Sequence, residues 1–172
     1  GVEVVILDAA EDGLAQMALW AQSHSGYDTI SVISHGSEGQ VELGTLSLDT
    51  QTASEHALEL ATIGASLTAD GDLLLYGCNV ATGTGQDFID TLTQLSGADV
   101  AASTDPTGAA SLGGDWQLEA ASGSIEAEAA LNMNVQQSYA GLLGTNQTFG
   151  FEGTVSGFNW YDVTNQEAGG TL

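Results

Sequence analysis

The sequence predicts an α/β fold: a three-layer sandwich built on a mainly parallel sheet. Apolar runs rich in β-branched residues alternate with amphipathic helical stretches, which is the order that places crossover helices between parallel strands. The runs are nearly continuous in their apolar content, as in strands buried on both faces. The length of 172 residues suits one domain with a full core and is too short for two comfortable ones.

The first predicted strand is Val2 to Leu7, β-branched and almost unbroken. Asp8 to Gly13 turns into a helix with Leu14, Met17, Ala18 and Ala21 on one face. Thr29 to Ser34 is the next strand and stops abruptly at His35-Gly36. Val41 to Leu48 alternates around Gly44-Thr45, a hairpin pattern, and Asp49 or Thr50 caps a helix reaching to about Leu67. Asp72 to Tyr76 is the most hydrophobic strand and ends at Gly77-Cys78-Asn79. A Gly/Thr loop, Thr82 to Gly85, leads into a helix bearing Phe88, Ile89, Leu92 and Leu95, closed by Gly97. Asp99 to Ser103 is a further strand; Gly113 to Leu118 and Gly123 to Glu126 are expected as short late strands. The domain is placed at 1–143. From 144 to 172 the composition turns to Gly, Thr, Asn and isolated aromatics, a polar extension or the start of a following module.

Charge sets the limits on partners. There are 23 acidic residues and no Lys or Arg, for a formal charge of −23. Nothing can neutralise phosphates, which excludes nucleic acid and disfavours anionic membranes. Intrachain ion pairs are possible only through the three His residues, so the carboxylates are solvated, capping or cation-bound. Ca²⁺ is the natural structural or activating ion for such a surface, although no cofactor is required. Asp70-Gly71-Asp72 is only a fragment of a calcium loop, and no metal ligands are assigned. The single Cys excludes an internal disulfide and Cys-based zinc. No apolar stretch is long enough to span a membrane, so membrane insertion is not expected. No basic, apolar leader opens the chain, and any export signal is expected to lie outside it.

Two strands end in reactive side chains beside glycine: Ile33-Ser34-His35-Gly36 and Tyr76-Gly77-Cys78. In open parallel sheets ligands bind beyond the carboxyl ends of the strands. If these two strands are neighbours, His35 and Cys78 emerge on one edge, where an imidazole can take part in proton transfer for a thiol nucleophile. Gly36 admits close backbone approach, so its N–H and that of Cys78 are candidate donors to an oxyanion. A lone Cys after an apolar strand is usually core filler and a strand-ending His usually caps a turn; the joint pattern is much rarer.

Apolar strand–His-Gly followed by apolar strand–small residue–Cys resembles caspases, gingipains, legumains and the self-cleaving protease domains of large bacterial toxins. Val32 to Gly39, Leu75 to Ala81 and Gly113-Gly114-Asp115-Trp116 are together most similar to one family. That family is a domain of formerly unknown function near the N-termini of giant bacterial surface adhesins, often followed by cadherin-like or calcium-binding repeats. The resemblance covers about Val2 to Glu126 and leaves out 145–172. Members often have one strand more before Val2, so a trimmed or processed fragment is expected.

The resemblance implies a caspase-like fold and a secreted or cell-surface cysteine endopeptidase acting on polypeptide, its own chain included. Cys78 would be the nucleophile, His35 the acid/base that protonates the leaving amine, and Gly36 with Cys78 the oxyanion donors. Tyr76 would line the specificity pocket, with Ser103, Thr104 and Asp105 after the following strand. Asp105 would favour a basic substrate residue and Tyr76 an apolar one, and the two stay open. The alternative is a non-catalytic structural or interaction module on the same fold. A lipase reading fails for want of a Gly-x-Ser-x-Gly elbow, and Gly83-Thr84-Gly85 lacks the third glycine of a dinucleotide loop. His24 and His56 are expected at ordinary helix positions and Trp116 as a core or edge anchor.

Overall fold

The computed structural model describes residues 2–129 and 131–144. The predicted extension therefore lies, beyond Gly144, outside the described residues. Asp12 caps α1 (Gly13–Ala21) by accepting the Ala15 N–H at 3.0 Å, and β1 (Tyr27–Ile33) follows. β2 (Gly36–Ser37), β3 (Gln40–Leu43) and β4 (Leu46–Asp49) form a small antiparallel sheet that contains the expected hairpin. Asp49 then closes a capping box with Thr52 at the start of α2 (Thr50–Glu55). The helix expected to reach Leu67 is two helices: the chain leaves helical geometry at His56 and resumes as α3 (Ala57–Gly64). The break lets α2 lie along α4 (Gly85–Ser96) while α3 packs between α1 and α4.

β5 (Leu67–Tyr76) and β6 (Asp99–Ala102) complete the parallel part of the main sheet, and β7 (Ala120–Ala121) pairs antiparallel to β6. The order β1-β5-β6-β7 makes this an α/β fold with a mainly parallel sheet. Side chains on successive strand residues point to opposite faces. Leu73, Leu75, Val100 and Ala102 therefore pack under the helices, with Leu14, Leu60, Ile63, Phe88, Ile89 and Leu92. Each large side chain buried there contributes about 1.5–3 kcal/mol. Leu74, Tyr76 and Ala101 face the other way. They are covered by Trp116, Leu118, Ile125 and Ala127 from an extended stretch, and by the end of a short helix α5 (Met133–Ser138) with the residues after it.

Two expected strand regions come out differently. Val2 to Leu7 joins no strand: Val2, Val4, Val5 and Ile6 are 41–77% exposed. β-Branched residues favour strands where they fit a half-buried pleated surface, and no such surface receives them here. Gly113–Leu118 and Gly123–Glu126 lie outside any named strand, apart from a single bridge of Asp115 to Thr107, and Ala120–Ala121 between them is what pairs with β6. The stretch is held by a side chain instead. Asp72, buried in β5, accepts the N–H groups of Glu126 at 2.9 Å and Ala127 at 2.8 Å. Those bonds give the second acid of the partial calcium loop a structural role.

Candidate active site

β1 and β5 are parallel neighbours, with Ile33 opposite Tyr76. His35 and Cys78 thus leave the sheet side by side at its carboxyl edge, both nearly buried. The pairing continues past the strands, the Ser34 N–H donating to the Tyr76 carbonyl at 3.1 Å. The glycines flanking the pair are a packing requirement. A Cβ at Gly77 would lie 3.0 Å from the Ser34 carbonyl oxygen and 3.2 Å from the Gly36 nitrogen. One at Gly36 would lie 2.5 Å from Val80 Cγ2 and 3.0 Å from the Cys78 carbonyl oxygen. The His-Gly and Gly-Cys motifs are two halves of one close backbone crossing.

The turn after Cys78 is sharp. Asn79 has a φ of 58°, a left-handed conformation that Asn tolerates better than most residues. Its N–H donates to the Asp105 carbonyl at 2.9 Å, and the Ala81 N–H donates to the Ser103 carbonyl at 2.9 Å. The loop after β6 is thereby stitched beside the cysteine loop. The rest of the His-Gly-Ser-Glu-Gly motif serves the same end: Gly39 N–H donates to the Val80 carbonyl at 3.0 Å, and Glu38 accepts the Thr84 N–H at 3.3 Å.

Of the proposed pocket residues, Tyr76 is buried in the third layer against Leu74, Cys78, Ala101 and Leu143, with the Trp116 ring 6.2 Å away. Trp116 is half-buried against this cluster, standing edge-on to Tyr139. Ser103 is fully buried and donates to the Asp105 carbonyl at 2.9 Å. Thr104 is exposed and donates its N–H to Glu119 at 2.7 Å. The Asp105 carboxylate accepts from the Ser103 hydroxyl at 3.2 Å and lies with Asp115 and Glu119 in one group, their oxygens within 4.8 Å. Burial, then the charges of Glu119 and Asp115, push the Asp105 carboxyl up. An all-carboxylate donor set of this kind suits a hard cation such as Ca²⁺.

Two residues at the site went unnoticed in the sequence. Thr107 is fully buried and makes four contacts: its N–H donates to Cys78 Sγ at 3.2 Å, its hydroxyl donates to the Gly77 carbonyl at 3.1 Å, and its own carbonyl accepts the Leu143 N–H at 2.8 Å and the Cys78 thiol at 3.5 Å. The signal was Pro106, the chain's one proline, which fixes the turn after β6. The second is Leu143. Its carbonyl oxygen accepts two N–H groups, from Gly36 at 2.9 Å and from Cys78 at 3.0 Å. These are the two donors the sequence marked as an oxyanion site.

The Cys78 thiol is pushed up by burial, which outweighs the hydrogen bonds from the Thr107 and Leu143 backbone. It is a protonated thiol at neutral pH, and nucleophilic use would need a base to take its proton.

Fold and site together define an α/β domain with a candidate thiol–imidazole site at the carboxyl ends of neighbouring parallel strands. The chain belongs to the family described as a domain of unknown function, DUF4347, whose model matches residues 1–143. No curated protein and no solved structure matches the chain. No helix among the described residues is long and apolar enough to cross a membrane.

Proposed function

We propose that this domain is a cysteine endopeptidase of the caspase/gingipain type that processes its own polypeptide, as part of a secreted or surface-bound bacterial adhesin. The observation that carries the reading is the convergence of the Gly36 and Cys78 N–H groups on a single carbonyl oxygen. Backbone donors held by two glycine-flanked strand ends are preorganised for the charge that develops on a carbonyl under attack. Cys78 is the nucleophile, His35 takes and returns the proton, and polypeptide is the substrate. No cofactor is required; Ca²⁺ would act structurally or as an activator through Asp105, Asp115 and Glu119.

The test is made on the full chain, with and without Cys78→Ala, folding being checked by circular dichroism. The expected result is a Cys78-dependent cleavage followed by intact mass, the substitution lowering the rate by about 10³-fold or more, and labelling of Cys78 by a thiol-directed peptide electrophile once residues 141–172 are removed. The rate should climb with pH, because only the thiolate attacks and burial holds the thiol protonated at neutrality. Cleavage that persists in the alanine variant removes Cys78 from the mechanism. A second reading, a non-catalytic module of the same adhesin, is favoured by one observation, the burial that raises the Cys78 thiol. Neither cleavage nor labelling is its expected signature.

A further inference from the structure

The geometry points to the bond that is cut: we infer that the domain cleaves its own chain between Leu143 and Gly144, with an apolar pocket that selects leucine. The inference rests on the peptidase reading above and adds the substrate to it. Four observations coincide at this bond. First, the carbonyl held by both oxyanion donors is that of Leu143 and no other described residue. Second, the segment before it lies in the crevice as an added strand. The Leu143 N–H donates to the Thr107 carbonyl at 2.8 Å, the Ala109 N–H donates to the Gly141 carbonyl at 2.8 Å, and Leu142 bridges antiparallel to Gly108. Main-chain pairing of this sort is how a peptide is docked on a sheet without regard to its side chains.

Third, specificity falls to the Leu143 side chain, which is 6% exposed and packs with Leu74, Tyr76, Cys78 and Ala101. The side chains packed around Leu143 are apolar, which favours an apolar over a basic substrate residue. The Asp105 carboxylate is engaged by the Ser103 hydroxyl and grouped with Asp115 and Glu119. Fourth, Gly144 on the leaving side bridges in parallel to Gly36, the residue that follows His35. The family match ends at residue 143, so the bond also falls at the edge of the shared domain.

The step balances with water as the sole co-reactant. Cys78 Sγ, its proton taken by His35, bonds to the Leu143 carbonyl carbon while the carbonyl electrons move onto the oxygen between the Gly36 and Cys78 N–H groups. The carbon–nitrogen bond to Gly144 breaks and His35 returns the proton to the departing amine. Water, deprotonated by His35, then attacks the Leu143 thioester, giving a carboxylate at Leu143 and the free thiol. The hydrogen bonds of Gly141 and Leu143 to Ala109 and Thr107 are untouched by this, so the new carboxylate stays between the two donors. Such a domain cuts once and is then blocked by its own end.

The test is to incubate the full chain, with Ca²⁺ and separately with chelator, in water enriched in ¹⁸O, and to read the products by mass spectrometry and N-terminal sequencing. Expected are a fragment ending at Leu143 that carries one ¹⁸O from the solvent, and a fragment beginning at Gly144. Leu143→Glu should slow the cut by at least about 10²-fold and Leu143→Met by no more than about 10-fold; circular dichroism checks that both fold. Cys78-dependent cleavage at any other bond overturns the inference and leaves the peptidase reading intact. So does an uncut chain whose Cys78 is labelled by a leucyl electrophile only after residues 141–172 are removed, which would make the segment a plug. An uncut chain with an unreactive Cys78 in every form overturns both.

Discussion

Two short apolar segments flank the sheet, and their fates are opposite. Val2 to Leu7 is β-branched and nearly continuous, yet it lies outside every strand with its side chains largely exposed. Gly141 to Gly144 is four residues with two leucines between glycines, yet its backbone is hydrogen-bonded to Thr107, Ala109, Gly36 and Cys78 and Leu143 is buried. Composition alone orders the two the wrong way round. A segment is fixed by what receives it: unpaired N–H and C=O groups at matching spacing and an apolar hollow between them. The turn at 105–108 and the Gly36–Cys78 crossing supply both. At the amino end, Glu3 accepts from the Tyr27 hydroxyl at 2.6 Å and the Trp20 indole at 3.4 Å, with His24 Nε2 3.8 Å from its carboxylate.

The largest expected effect separates the two segments directly. In a Cys78→Ala background, where cleavage cannot intervene, Leu143→Ala should cost about 2–5 kcal/mol by emptying a closed pocket. Val5→Ala should stay within about 0.5 kcal/mol, as surface changes do. Urea denaturation of both variants makes the comparison; equal losses would mean that the amino-terminal run is packed after all. Next comes Asp72, whose buried carboxylate holds Glu126 and Ala127. Asp72→Ala leaves two N–H groups without their acceptor and should cost about 2–3 kcal/mol. Amide exchange should show lost protection at Glu126 and Ala127, with little change in α4.

Much of the fold was readable because it follows periodicity. The helices at Leu14–Ala21 and Phe88–Leu95, the hairpin, and the strands ending at His35-Gly36 and Gly77-Cys78 all carry patterns that survive without knowledge of neighbours. So did the adjacency of the two strands that end at His35 and Cys78, since parallel strands joined by a helical crossover commonly lie next to each other. The parts that were missed depend on partners distant in sequence. In the third layer, two backbone N–H groups are taken by the Asp72 carboxylate, more than fifty residues away, which no local pattern announces. Thr107 and Leu143 belong to the site largely through main-chain groups, and any residue type offers those. A backbone carbonyl held by two backbone N–H groups leaves no side-chain signature in a sequence. The break at His56 coincides with the packing of α2 on α4 and has no Gly or Pro to announce it.

A smaller effect is expected at the α2 cap. The Thr52 backbone N–H, chiefly, holds the Asp49 carboxyl below its ordinary value. A depressed folded-state value means that the unfolded chain binds the proton more readily. The stabilisation is therefore complete above the unfolded-state pKa and is lost as pH falls through the folded one. Asp49→Ala should cost about 1 kcal/mol at neutral pH, and the loss should shrink with acidification; a loss independent of pH would mean that the carboxylate is not the cap.

The smallest expected effect returns to the amino-terminal segment. Hydrogen bonding from Tyr27, more than any other cause, holds the Glu3 carboxyl below its ordinary value. Its contribution has the same sign as that of Asp49: present above the unfolded-state pKa, lost as acid protonates the carboxylate. Because Glu3 is on the surface, water screens the bond and global stability should be indifferent to Glu3→Gln. The local readout is the Trp20 indole proton in NMR spectra. It should shift as pH is lowered through the Glu3 titration, while the Trp116 indole, enclosed in the third layer, stays constant. In Glu3→Gln the Trp20 shift should vanish. If Glu3→Gln also lowered the urea midpoint, the amino-terminal run would be part of the cooperative fold, and the contrast between the two segments would be one of degree.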